Sequence, residues 1–187
     1  MSDIIDTWRK DHVNFSRLLN LLEVQIKLFH EDETPDYELM QDIIYYMTHF
    51  PDLFHHPKED LVFDMVKKVD SSTRSVVDEL MEQHVVLRES GMKLFGNLEA
   101  VVAGAMLSRT SVEGPAETYI AYFRSHMKKE ESEIFPLAEK LLSDQDWRDV
   151  DAAVPPPIDP LFGPSVNERY LALHRQIADE AGCGCGE

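Results

Sequence analysis

Apolar residues recur along most of the chain at steps of three and four, the period of one face of a helix. Between residues 3 and 29 the line runs Ile4, Trp8, Phe15, Leu18, Leu19, Leu22, Ile26 and Phe29, and His12 lies on it. The acidic turn Glu31-Asp32-Glu33-Thr34-Pro35 ends this first helix. Asp36 is placed to cap a second, whose line passes through Met40, Ile43, Ile44, Met47, Pro51 and Phe54 to Leu61, Val62, Met65, Val66 and Val69. His55 and Glu59 fill the gap in that row. Pro51 and Pro57 fall inside the helix, where each removes an N–H and crowds the preceding turn at about 3 kcal/mol. The expectation is a kinked helix; a fresh start at Pro57 would destroy the 55/59 pairing.

Asp70-Ser71-Ser72-Thr73 offers several caps for a third helix, with Val77, Leu80, His84, Leu87, Gly91, Leu94, Leu98, Val101 and Val102 in register. Gly114-Pro115 reads as a break. A fourth helix carries Tyr119, Tyr122, Phe123, His126, Glu130, Ile134, Leu137, Leu141 and Leu142, with a kink expected at Pro136. Beyond Leu142 the composition changes. Ser143 or Asp144 caps a short helix through Trp147 and Val150. Residues 155–164 form a proline-rich loop that Ile158, Leu161 and Phe162 should hold in order, and a last helix carries Val166, Tyr170, Leu173 and Ile177. The reading is all-α: an up-down-up-down four-helix bundle over residues 1–142, a C-terminal helical extension packed on it over 143–181, and a mobile tail over 182–187.

Composition narrows the partners. With 35 acidic against 18 basic residues the formal net charge is −17. That weighs against nucleic acid, whose phosphates need clustered Lys and Arg, and against an anionic membrane surface. No apolar run approaches the roughly 20 residues that span a bilayer, and the N-terminus shows no secretory pattern. The only cysteines, Cys183 and Cys185, lie near the C-terminus, so there is no disulfide framework. A cytoplasmic setting is expected, with no nucleic-acid or membrane partner; a protein partner is left unspecified.

The candidate chemistry lies in a duplicated pattern. Each long helix places one histidine on its apolar line: His12, His55, His84 and His126. His12 to His55 spans 43 positions and His84 to His126 spans 42. In both halves a glutamate follows the second histidine by four, as His55-His56-Pro57-Lys58-Glu59 and His126-Met127-Lys128-Lys129-Glu130. On a helix such residues are separated by only about 40° and about 6 Å of rise. The chain thus reads as one helical hairpin used twice. Packed together, the two copies direct four imidazoles and two carboxylates to a common point. A carboxylate buried alone is costly, and two dications would compensate the pair. Nitrogen and oxygen donors without thiolate suit iron, manganese or zinc.

The order His…His-x-x-x-Glu…His…His-x-x-x-Glu resembles that of the hemerythrin-like, or HHE cation-binding, domain. The resemblance covers roughly residues 1–142, and Asp159-Pro160-Leu161-Phe162-Gly163 is similar to tails carried by bacterial members. It implies a four-helix bundle around a non-haem di-iron centre, bridged by oxygen or carboxylate, with His12, His55, Glu59, His84, His126 and Glu130 as ligands. The implied partner is a small diatomic molecule or peroxide. Two departures stand out. Oxygen-carrying hemerythrins have a second histidine four residues into the third-helix motif, where this chain has Arg88. Their last acid lies five residues after its histidine, whereas Glu130 lies at four and Glu131 at five. The missing nitrogen weighs against reversible O₂ carriage and leaves open positions for reactive chemistry. His56 is a further candidate ligand. It points about 100° from His55 on a regular helix, and a kink at Pro57 would turn it inward.

The remaining titratable residues have plainer readings. His30 and His49 read as solvated or rim residues and His174 as surface. Tyr45, Tyr46, Tyr119 and Tyr122 read as packing, and the two cysteines as ordinary thiols on the tail, with a soft-metal or redox role as the alternative. Three functions share these residues: a di-iron protein meeting O₂, NO or peroxide in sensing or stress defence; an iron storage, delivery or iron-centre repair protein; and a structural or zinc-binding helical interaction module. Any enzymatic activity would be redox chemistry at the centre.

Overall fold

The computed structural model describes residues 3–31, 33–154 and 158–182, and among them there is helix and no strand. Helix α1 runs Asp3–His30, α2 Tyr37–Phe50, α3 His56–Val69, α4 Arg74–Val102, α5 Thr110–Lys129, α6 Phe135–Leu141, α7 Asp144–Ala153 and α8 Leu171–Gly182. A π turn, Pro51–His55, joins α2 to α3, and another, Glu130–Ile134, joins α5 to α6, so four rods result. α1 packs on α2 and α5, and α4 on the same two, which closes the four rods into a bundle. Connections of a few residues make neighbouring rods antiparallel. No described helix is long and apolar enough to cross a membrane.

Local chemistry sets the ends. Asp36 caps α2 by accepting the Leu39 N–H at 2.9 Å, and its own N–H donates to Gln25 Oε1 at 2.8 Å. Ser143 and Asp146 form a reciprocal capping box on α7. Gly104, at φ +89°, closes the end of α4. The expected break at Gly114-Pro115 is absent, because both residues lie within α5. Pro115 withholds the N–H that Ser111 carbonyl would accept in a helix. The Asn97 side-chain amide donates to that oxygen instead, at 2.8 Å.

The expected proline kinks take a specific form. His56 N–H donates to Pro51 carbonyl, and Phe135 N–H donates to Glu130 carbonyl, each reaching back five residues. Both widened turns end two positions before a proline, Pro57 or Pro136. The extra residue relieves the clash between a proline ring and the carbonyl of the preceding turn. It also resets the phase. Met47 and Glu59 are twelve positions apart and would differ by about 120° on a regular helix; one inserted residue reduces this to about 20°. Both are fully buried.

Two apolar cores result. One gathers Ile4, Ile5, Trp8, Val62, Val77, Leu80 and Phe135 with the extension's Trp147 and Val150. The other gathers Phe15, Leu18, Met40, Met47, Leu87, Leu94 and Phe123 with Leu161, Tyr170 and Leu173. Between them every rod carries polar residues.

The extension covers one flank. α7 packs on α3, and Lys58 Nζ reaches Asp151 at 2.6 Å. Asp159 Oδ1 accepts the Leu161 and Phe162 N–H groups, and its Oδ2 accepts the Tyr46 hydroxyl at 2.9 Å. Gly163 is required there, since a Cβ would sit 2.2 Å from Asp159 carbonyl. Residues 155–157 lie outside the described set, as do Cys183 and Cys185. Ile158, expected to anchor the loop, is 76% exposed, so Leu161 does the anchoring. The last helix starts later than its pattern suggested: Val166 precedes it, and a 3₁₀ turn, Glu168–Tyr170, leads into α8. Phe54, Val69 and Val102, read as core positions, emerge into solvent.

The close approach of α2, α4 and α5 depends on Gly91. A Cβ there would lie 2.6 Å from Thr48 Cγ2 and 3.0 Å from the Tyr119 ring. Gly91→Ala should therefore destabilise the protein by about 1–2 kcal/mol, because overpacking outweighs the better helix propensity of alanine. Denaturant unfolding measures this, and a stabilised variant would contradict the tight crossing.

Candidate metal centre

The polar layer between the cores is buried. His12, His55, His56, His84 and His126 are all nearly buried, and Glu59 and Glu130 are wholly so. His12 comes from α1, His55 from the first π turn, His56 and Glu59 from the start of α3, His84 from α4, His126 from α5, and Glu130 from the second π turn. Each imidazole also rests on a phenylalanine ring, as in the stack of His12 on Phe135 at 5.5 Å and the edge contact of His55 with Phe15 at 5.1 Å. Phe63 stacks on His84, and Phe123 contacts both His56 and His126.

Two sets of donors emerge. His12, His55 and Glu59 present ligand atoms within 4.8 Å of one another, and so do His56, His84 and His126. Glu59, His84 and Glu130 form a third overlapping group, so the carboxylates lie between the two. Glu59 Oε1 is 3.2 Å from His55 Nε2, and Glu59 Oε2 is 3.6 Å from His84 Nε2. Glu130 Oε1 is 3.1 Å from His126 Nε2 and 3.3 Å from His84 Nε2, while its Oε2 is 3.5 Å from His12 Nε2.

The outer nitrogens decide how the inner ones face. Nδ1 of His12 meets Glu131 Oε1 at 2.8 Å, His55 meets Asp11 at 3.0 Å, and His56 meets Asp52 at 3.0 Å. His84 meets Asp60 at 2.8 Å and His126 meets Gln83 Oε1 at 3.0 Å. These oxygens accept, so each Nδ1 carries a proton and each ring turns its Nε2 inward, as a lone pair wherever the imidazole is neutral. His12 Nε2 and His55 Nε2 then face each other at 3.3 Å. Two lone pairs at that separation call for a cation between them. Both Glu59 oxygens, Glu130 Oε2 and His126 Nε2 are buried without a hydrogen bond. Orphaned buried donors of this kind fit a metal group.

Without metal, protons do part of the cations' work. Burial, and next the charge of Glu130, push the Glu59 carboxyl well above its ordinary value. Burial acts on Glu130 in the same sense, but His126, His84 and His12 outweigh it and hold Glu130 well below. His84 is likewise drawn down by burial, yet its bonds to Asp60 and Glu130 prevail and raise it to about 10. Burial lowers His56 and His126, which keeps both rings neutral.

All seven sequence-derived candidates meet here. His56 faces inward as well as His55, its ring stacked on His84 at 4.2 Å. It supplies a nitrogen that the third helix lacks at the exposed Arg88. Glu131 stays at the rim, 45% exposed, and partners His12 from outside. The outer acceptors Asp11, Asp52, Asp60 and Gln83 escape sequence reasoning, since acids and amides beside a motif look like solvated helix charges; only the spacing of four between Asp52 and His56 hints at a pair. His30 is exposed near Glu113 and Glu117, and His174 is exposed. His49 is half-buried rather than rim, stacked on Tyr45 with Nδ1 donating to the Tyr45 carbonyl at 2.7 Å.

The family model of the hemerythrin HHE cation binding domain matches residues 3–138. The chain belongs to that family. The match spans α1 to α6, the segment that supplies all seven buried donors, and leaves the extension outside. Neither the curated proteins nor the solved structures compared gave a match. As a hemerythrin domain the chain is a cation-binding bundle, and its buried histidine and glutamate clusters suit that role.

His126→Ala should lower metal content and melting temperature together, because metal held only by the folded state adds its binding energy to folding. His174→Ala should leave both unchanged; elemental analysis and calorimetry read the two variants. Metal uptake should also release protons. His84, raised to about 10, is protonated below that pH without metal and must give up its inner proton to bind. Apparent affinity should therefore rise with pH between 6 and 9, about tenfold per pH unit for each proton released. Chelator competition at several pH values measures it, and a flat profile would contradict the proton-filled metal-free site.

Proposed function

We propose that this hemerythrin domain is a non-haem di-iron protein whose centre binds or reacts with O₂, NO or peroxide, in sensing or in oxidative and nitrosative stress defence. The observation that carries the reading is the pair of donor groups, His12 with His55 and His56 with His84 and His126, flanking Glu59 and Glu130, every imidazole held by an acceptor on its outer nitrogen. His12 and His55 would hold one ion, and His56, His84 and His126 the other, with the two glutamates between them. Five nitrogens and two carboxylates leave an iron pair short of full coordination, and such a pair supplies redox change and small-ligand binding at its open positions. Zinc or manganese could occupy the same donors.

The surrounding residues suit that chemistry. The phenylalanine shell excludes water and strengthens electrostatic interactions inside it. The Nδ1 bonds fix tautomer and ring orientation, so the donors are set before a metal arrives. The outer carboxylates of Asp11, Asp60 and Glu131 are partly exposed and can pass protons toward solvent without entering the inner layer. The cytoplasm is the setting this reading assumes.

The test is iron content and absorption of freshly isolated protein, repeated after Fe(II) and air. Charge-transfer bands that change on adding peroxide or NO are expected. His12→Ala and His56→Ala should each reduce iron to about half, since each removes a donor from a different group. Protein with no iron, and no charge-transfer absorption after loading, would sink the reading.

A further inference from the structure

A cleft of about 340 Å³ opens between the first turns of α1, the first π turn and the C-terminal extension. It lies behind His55, on the side away from the inner donors. Three aromatic residues, Trp8, Phe50 and Phe54, line it together with Ile4. Trp8 and Phe50 are buried, while Phe54 stands 40% exposed at the mouth.

The charged residues in the same walls are mostly acidic. Asp11, Asp151 and Asp159 face the cleft against a single cation, Lys58. Lys58 is already paired, 2.6 Å from Asp151. Asp159 is held by the Tyr46 hydroxyl and two backbone N–H groups, all neutral. Asp11 accepts from His55 Nδ1, whose other nitrogen serves the centre. After the Lys58–Asp151 pair cancels, two carboxylates remain beside three aromatic rings. Aromatic faces and carboxylates both attract a cation and both disfavour an anion. The volume falls in the range of small-ligand sites.

We propose that this cleft binds a small organic ammonium ion with an apolar body. The cationic head is drawn to Asp11 and Asp159, and the body packs against Trp8, Phe50 and Phe54. The inference is independent of which metal the centre holds, because its test reads heat of binding and no property of the centre.

Isothermal titration of the full-length, metal-loaded protein with 2-phenylethylammonium, 2-phenylethanol and 3-phenylpropionate tests it. The ammonium should bind about tenfold more tightly than the alcohol, with the carboxylate weakest. Asp159→Asn keeps the backbone acceptor and removes the charge, and should weaken ammonium binding about three- to tenfold. Phe54→Ala, at the exposed rim, should do the same and decides the matter if Asp159→Asn loosens the loop. Lys58→Gln removes the one cation and frees Asp151, so it should tighten binding. Equal affinity for ammonium and alcohol, preference for the carboxylate, or absence of binding at millimolar concentration would each overturn the proposal.

Discussion

Two glutamates and five histidines share one buried layer, and the rest of the molecule is arranged around that constraint. Carboxylates so deeply buried are tolerable only when opposite charge lies beside them. Here the first compensation is protonic. His84 keeps its proton and Glu130 stays ionised against the histidines, while Glu59 is driven toward the neutral form. The same donors could hold metal, so protons and metal compete for the same positions. The apolar cores on either side keep that competition away from bulk water.

The outer ring of acceptors matters as much as the donors. Asp11, Asp52, Asp60, Gln83 and Glu131 come from α1, the first π turn, α3, α4 and the second π turn, so each of the four rods holds a histidine of another or of itself in place. This ties metal binding to helix packing. It also gives several acids of a −17 chain a histidine partner near the interior. The same logic extends to the flank, where Asp159 fastens the extension to Tyr46 and Asp151 fastens α7 to Lys58. Lys58, Asp151 and Asp159 also line the cleft behind His55.

Much of this was legible in the amino-acid order. Apolar residues at helical spacing marked the four rods, and the repeated His-x-x-x-Glu at matched intervals marked the six core donors. A pair four residues apart shares a face of any helix, so those assignments needed no tertiary information. Asp36, Ser143 and Leu161 likewise act through local chemistry that their sequence context displays. Gly114-Pro115 misled because a remote side chain, Asn97, takes up the carbonyl that Pro115 leaves free.

By itself the sequence determined the helical class, the duplicated hairpin and the inward line of His12, His55, Glu59, His84, His126 and Glu130. Only the tertiary structure decided that His56 joins them. On a regular helix adjacent residues diverge by about 100°, and no count of spacings brings both His55 and His56 to one centre. The π turn before Pro57 does so, because packing on both sides demands that Met47 and Glu59 face the same way. Only the assembled bundle, too, could show which acids hold the outer nitrogens. Those contacts join residues up to 119 positions apart, as between His12 and Glu131, and depend on how the rods rotate against one another.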